Sequence, residues 1–166
     1  MAILRRLFAG SLCSALAALF LLGLSSAPGL ADEKFEEGRL AVVTADGKRH
    51  EFSVELALTP SQRAQGLMNR HTMAPDHGML FSFGETRLVM MWMKDTYLPL
   101  DMLFIDTSGK IRTIKENAEP LSEAIISSNV PVAFVLELNA GTVRAKSIKP
   151  GDTVESPLIQ RGDIQP

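Results

Sequence analysis

The sequence predicts an α+β domain, mainly antiparallel β, curled into a partly closed small barrel with two or three short helices. Three observations carry that expectation. Arg49 to Leu58 alternates between apolar and polar residues, the period of a half-buried strand. Short apolar runs recur along the chain, and each ends in a cluster of Gly, Pro, Asn, Asp or Ser. The one strong helix signal is brief. Closing such a sheet into a barrel hides the edges its strands would otherwise expose.

The first 31 residues stand apart from that domain. Arg5 and Arg6 form a basic start, Leu7 to Leu24 is an apolar stretch, and Gly29 and Ala31 make a small-x-small cleavage site before Asp32. This is the pattern of a secretory signal peptide, residues 1–31. The competing reading is a retained anchor, because 18 apolar-rich residues approach the length that spans a bilayer. Cys13 lies inside the stretch behind the bulky Leu12, which argues against lipidation. Cleavage removes this one cysteine, so residues 32–166 are expected to form a single domain with no disulfide, thiol nucleophile or thiolate ligand. It also removes two arginines, taking the net charge from −2 to −4. No basic run appears, so no nucleic-acid partner is expected. The expected location is periplasmic or secreted, off the membrane once cleaved, and the expected state is a monomer.

Along the domain, Asp32 to Gly38 reads as a polar leader and Arg39 to Ala45 as a strand. Asp46-Gly47 is a hairpin turn. In the next strand His50, Phe52, Val54, Leu56 and Leu58 share one face, with Glu51, Ser53 and Glu55 on the other. Thr59-Pro60-Ser61-Gln62 is a capping box with Pro at N1, opening a helix to about Leu67. Gly66 marks a C-cap or a point of close packing. Asn69 to His77 is a loop. Gly78–Phe83, Arg87–Met93 and Leu100–Asp106 are apolar strands, and Lys110–Asn117 follows a Thr-Ser-Gly turn. Pro120 to Asn129 is polar and irregular or one short helix. Val132–Leu138 is an apolar strand carrying one acid, Glu137. Thr142–Ser147 is a helical turn, and Pro150-Gly151-Asp152 turns into a last short strand, with Asp152 placed to accept backbone N–H groups.

Six of the eight methionines fall between Met68 and Met93, around the only Trp, Trp92. A polar candidate site combines Arg70, Lys94, Asp95, Thr96, Asp101 and Glu137. Arg70 offers a planar fork for a carboxylate or phosphate, and the acids can hold a cation, sugar hydroxyls or the two bases. An ion-pair network closing the barrel end is the bland reading of the same residues. Pro99 forces the chain out of the ladder, so Lys94 to Thr96 should sit at a sheet end. The Asn69–His77 loop should fold over that end and bring Arg70 to Asp95, Asp101 or Glu137. Glu137 is expected to be buried and paired with Lys94 or Arg70. The alternative is Cu(I) handling through Met91, Met93 and His77, set against methionine as core filler. A third reading is an enzyme acting on envelope carbohydrate through Asp95, Asp101 and Glu137. No nucleophile elbow or phosphate-binding glycine pattern is present, and neither a catalytic residue nor a cofactor is expected.

Four ordered blocks, VELALTPSQRAQGLMNR, GMLFSF, MWMKDTYLPLDMLFID and VLELNAGTVRAKSIKPGD, resemble the DUF192 family, also called UPF0127. The resemblance covers about Phe52 to Val154. It implies a small, mostly β domain, often exported, without an established biochemical activity. The family pattern usually has Asn after the WMK block, where this chain has Asp95, so a role that needs a neutral amide there does not carry over. The segment Ile148–Val154 is similar to the Gly-Asp turn of cradle-loop barrels. The expected function is therefore binding, in the cell envelope, of a small polar or anionic ligand, a peptide segment or another envelope component.

Overall fold

The computed structural model describes residues 33–160. The predicted signal peptide, residues 1–31, lies outside them. The described chain forms one seven-stranded sheet with three short helices. In chain order the elements are β1 (Glu36–Val43), β2 (Arg49–Ala57), α1 (Pro60–Gln65), β3 (His77–Met91), β4 (Leu100–Ile105), β5 (Ile111–Ala118), β6 (Ile126–Asn139), α2 (Thr142–Ala145), β7 (Thr153–Glu155) and α3 (Pro157–Gln160). The sheet order is β5-β4-β6-β3-β2-β1-β7. All neighbours are antiparallel except β2 and β3, which run parallel from Ser53↔His77 to Ala57↔Phe81. Helix α1 and the 67–76 loop make the crossover that a parallel pair requires.

The sheet curls until its two edges meet at one end. Lys110, just before β5, bridges Thr153 of β7. The Ile111 N–H donates to the Asp152 carbonyl at 2.9 Å, and the Val154 N–H to the Gly109 carbonyl at 2.7 Å. The result is the partly closed barrel that the strand pattern predicts. Asp152 holds this seam: its carboxylate accepts the Ala45 N–H at 2.9 Å and the Lys149 N–H at 2.7 Å.

Both sheet faces are covered. Inside the curl, Val42, Phe52, Val54, Leu80, Phe134, Leu136 and Val154 belong to one apolar cluster. Behind the sheet, Leu67, Met79, Phe81, Met93, Met102, Phe104 and Val135 form a second. Alternation decides the division: Leu80 and Leu136 point one way, Met79 and Val135 the other.

Three boundaries differ from the sequence expectation. Glu36–Gly38 is not a loose leader but pairs with Leu56–Val54, where the absent side chain of Gly38 leaves room for Leu56. Gly78–Phe83 and Arg87–Met93 are parts of one strand, because Gly84, at φ 73°, bulges the chain instead of turning it. The Pro120–Asn129 region forms no helix, and Ile126–Asn129 already belongs to β6. Ser128 there is fully buried and replaces ladder bonds with its hydroxyl, accepting from the Val89 N–H and donating to the Val130 carbonyl.

Candidate functional site

Glu137 is the most unusual side chain of the domain. It sits near the C-terminal end of β6 with Met79 of β3 opposite on one side and Met102 of β4 on the other. It is 4% exposed. Among the described residues it has neither the Lys94 nor the Arg70 partner expected of it: Lys94 Nζ instead lies 5.5 Å from the Trp92 ring centroid. With no compensating charge, burial pushes the Glu137 carboxyl up to about 8. It is therefore mostly protonated at neutral pH, a hydrogen-bond donor as well as an acceptor.

The carboxyl opens into a cavity of about 100 Å³ under α1. Leu67, Phe81, Phe83 and Met91 supply apolar walls, and Thr96 is the other residue of the predicted polar site that reaches it. The capping box closes α1 as expected: Thr59 Oγ1 accepts the Gln62 N–H, and Gln62 Oε1 accepts the Thr59 N–H. Gly66 then caps the helix at φ 49° and ψ −136°. A Cβ at Gly66 would lie 3.2 Å from the Phe81 ring, so this glycine lets the helix end settle onto the cavity roof. Thr96 is placed by a tight turn, its N–H donating to the Met93 carbonyl at 3.1 Å. Asp95, exposed in that turn, has φ 51°, a conformation Asn and Asp tolerate better than most residues.

Lys94–Thr96 does lie beyond the end of β3, and the 67–76 loop does dock there, the Asn69 N–H donating to the Asp95 carbonyl at 2.8 Å. The side chains are another matter. Arg70 forks onto both carboxylate oxygens of Glu55 on β2, not onto Asp95, Asp101 or Glu137. His77 Nε2 approaches the same Glu55 at 3.3 Å. The Arg70 hydrogen bond is the chief cause that holds the Glu55 carboxyl below its ordinary value, against burial. Asp101 is fully buried and accepts the Asn117 N–H at 3.0 Å and the Val143 N–H at 2.9 Å. It stands opposite Leu138, whereas Glu137 stands opposite Met102, so the two acids project from opposite faces of the sheet. Of the six predicted polar residues the structure thus joins Glu137 and Thr96, and it leaves Arg70, Asp95, Asp101 and Lys94 apart from their cavity wall.

The copper triad does not assemble either. His77 and Met91 are the two ends of the 15-residue β3, roughly 45 Å of contour at the usual strand rise. Met93 is fully buried in the apolar cluster behind the sheet. Among the described residues no three His, Cys, Asp or Glu side chains gather as metal ligands would. Sequence reasoning missed Glu55, which alternation placed on a polar face, and Arg63, whose Nη1 donates to the Ser82 carbonyl at 2.8 Å beside the cavity. A wider depression of about 580 Å³, lined by Arg39, Arg49, Glu51, Asp76 and Glu155, is open, and Arg49 there is already engaged by Glu51 and Glu155. The smaller cavity, with its uncompensated acid, is the better candidate.

The family model DUF192, described as Uncharacterized ACR, matches residues 41–156. A proposed transcription regulator from Sinorhizobium meliloti 1021, known from its crystal structure, is 63% identical, with a TM-score of 0.74 over 76% of this chain and 98% of that one. A protein of unknown function from Novosphingobium aromaticivorans DSM 12444 is 36% identical, with a TM-score of 0.68 over 70% of this chain and 83% of that one. No curated protein matches the chain.

Proposed function

The chain belongs to the DUF192 family, of unknown function, and from that premise we propose that it is an exported, monomeric binding domain whose ligand enters the Glu137 cavity. One observation carries the reading: a carboxyl 4% exposed, with no ion-pair partner among the described residues, opens into a cavity that combines apolar walls with Arg63 and Thr96. Burying a polar group without its hydrogen bonds costs roughly 1–3 kcal/mol. Leucine at this place, between Met79 and Met102, would avoid that cost. Stability does not favour the acid, and that cost supports a role in recognition. A protonated carboxyl donates to a ligand carbonyl or hydroxyl, while Phe81, Phe83 and Met91 take its apolar body.

Two other readings are weaker. Carboxylate catalysis on carbohydrate needs two acids flanking one bond, and Asp101 and Glu137 lie on opposite sheet faces. The description of the Sinorhizobium relative raises DNA binding. The three helices among the described residues have 6, 4 and 4 residues, too short for a recognition helix, and the chain carries net negative charge.

Export rests on Arg5, Arg6, the apolar stretch and Ala31. The intact mass of the exported protein should start at Asp32; a full-length, membrane-held product would make this an anchored domain. For the cavity, NMR titration with small apolar amides should move the Leu67 and Thr96 resonances. Binding should weaken as pH rises past 8, when the donor proton is lost. Fragments that ignore a Glu137→Leu change would remove the acid from the site.

A further inference from the structure

Beyond Phe81, β3 loses its β2 neighbour, because their pairing ends at Ala57↔Phe81. From Ser82 to Met91 it keeps β6 on one side, and no strand of the described residues lies on the other. The Val89 N–H turns toward β6, donating to Ser128 Oγ at 3.0 Å. Leu88 faces Pro131, which has no N–H to offer. Backbone direction alternates along a strand, so Leu88 and Met90 turn their N–H and C=O groups to the open side. Folded proteins usually shorten, charge or cover such edges. Here Leu88 is 56% and Met90 69% exposed, and Trp92 follows at 46%.

We propose that this open edge of β3 takes an added strand from a partner polypeptide, an extended segment with apolar side chains at alternate positions and acidic residues between them. One apolar side chain of that strand enters the Glu137 cavity, and a main-chain carbonyl beside it accepts from the protonated carboxyl. The proposal rests on the binding reading of that cavity and gives its ligand a class. Phe83, Met90 and Met91 belong both to the edge and to the cavity wall, with Trp92 just beyond the strand end, so a strand laid along the edge passes the mouth. The cavity, about 100 Å³, suits one side chain better than a whole small molecule, whose pockets run to roughly 300–1,000 Å³. Main-chain bonds supply affinity in strand addition, and side-chain pockets supply selectivity.

The charges choose among occupants. Arg63 and Arg87 lie 5.7 and 5.0 Å from the Phe83 ring centroid, and Lys94 lies 5.5 Å from that of Trp92. Glu85 on the same edge meets Arg87 at 4.0 Å, and the remaining balance of these side chains is cationic, which favours an acidic strand. A second copy of this chain would bring the same cations to the seam and repel.

The test uses residues 32–166, labelled with ¹⁵N, and a pool of end-blocked heptapeptides with apolar residues at alternate positions and Asp or Glu between. The expected result is slowed amide exchange at Leu88 and Met90 on addition of the pool. The selected peptide should bind at least tenfold more weakly once its alternate backbone nitrogens are methylated. Equal binding of the methylated peptide, still sensitive to Glu137→Leu, would overturn strand addition and leave the cavity reading standing. Small amides that bind while no peptide in the pool does would have the same meaning. Protection of Leu88 and Met90 that grows with protein concentration alone would assign the edge to a second copy and overturn the peptide. Binding of neither amides nor peptides would sink both readings.

Discussion

Replacing Glu137 by Gln should turn a pH-dependent domain into one much less so. Burial raises the folded carboxyl to about 8 from an ordinary 4.5. Between those values the folded state holds one more proton than the unfolded state, so stability falls as pH rises. The full contribution is present below pH 4.5 and is gone above about 8. The slope inside the window is about 1.4 kcal/mol per pH unit, and the total is about 5 kcal/mol. Gln keeps the size and hydrogen-bonding groups of the protonated acid but does not titrate. Urea unfolding of residues 32–166 at one-unit steps from pH 4 to 9, wild type against Glu137→Gln, isolates this group, because all others cancel in the difference. The two proteins should differ by a constant at pH 4, and the difference should then grow in favour of Gln by several kcal/mol before levelling near pH 9. A difference that stays within about 0.5 kcal/mol across the series, the scale of a harmless surface change, would refute the unpaired buried acid and the function built on it.

Glu55→Gln should cost about 1.5–3 kcal/mol by weakening the charged bonds from Arg70 and His77. Because the folded Glu55 carboxyl is held below its ordinary value, its contribution disappears as pH falls through that range, and the mutant should show a flatter acid limb in thermal melts. Gly66→Ala meets both a left-handed φ and the Phe81 ring at 3.2 Å, and urea titration should show a loss of about 1–3 kcal/mol. Asp95→Asn should be neutral or stabilise by a few tenths of a kcal/mol, since Asn is at home at φ 51°; loss of amide-fragment binding in this variant would return Asp95 to the site.

Local chemistry was legible where it was self-contained. Asp46-Gly47 turns, Thr59 and Gln62 cap, and Asp152 gathers the N–H groups its turn offers. Glu137 was legible as an unusual side chain because an acid among apolar neighbours is costly wherever the sheet runs, and Thr96 stood out as part of the polar run Lys94-Asp95-Thr96 that follows an apolar strand. Partner choice was not legible. The parallel β2–β3 pairing puts Glu55 under the 67–76 loop, and only that pairing explains why Arg70 turns away from Glu137. Strand alternation marks Glu55 as outward but says nothing of what later covers it. Gly84 could as well have ended a strand as bulged one, since the same residue serves both.

The seam between β5 and β7 also sets a timetable. β1 lies between β2 and β7, so the first strand made waits for the last. Until residues 151–155 emerge, β1 has one bare side and the curl has no clasp at Gly109–Ile111. At synthesis rates of about 5–20 residues per second, the delay between β1 and β7 is roughly 6–24 s. For all that time the nascent chain lacks the contacts that shut the sheet. Shortening the chain before Gly151 would prolong that state indefinitely, so its last ten described residues act as the clock for closing the sheet.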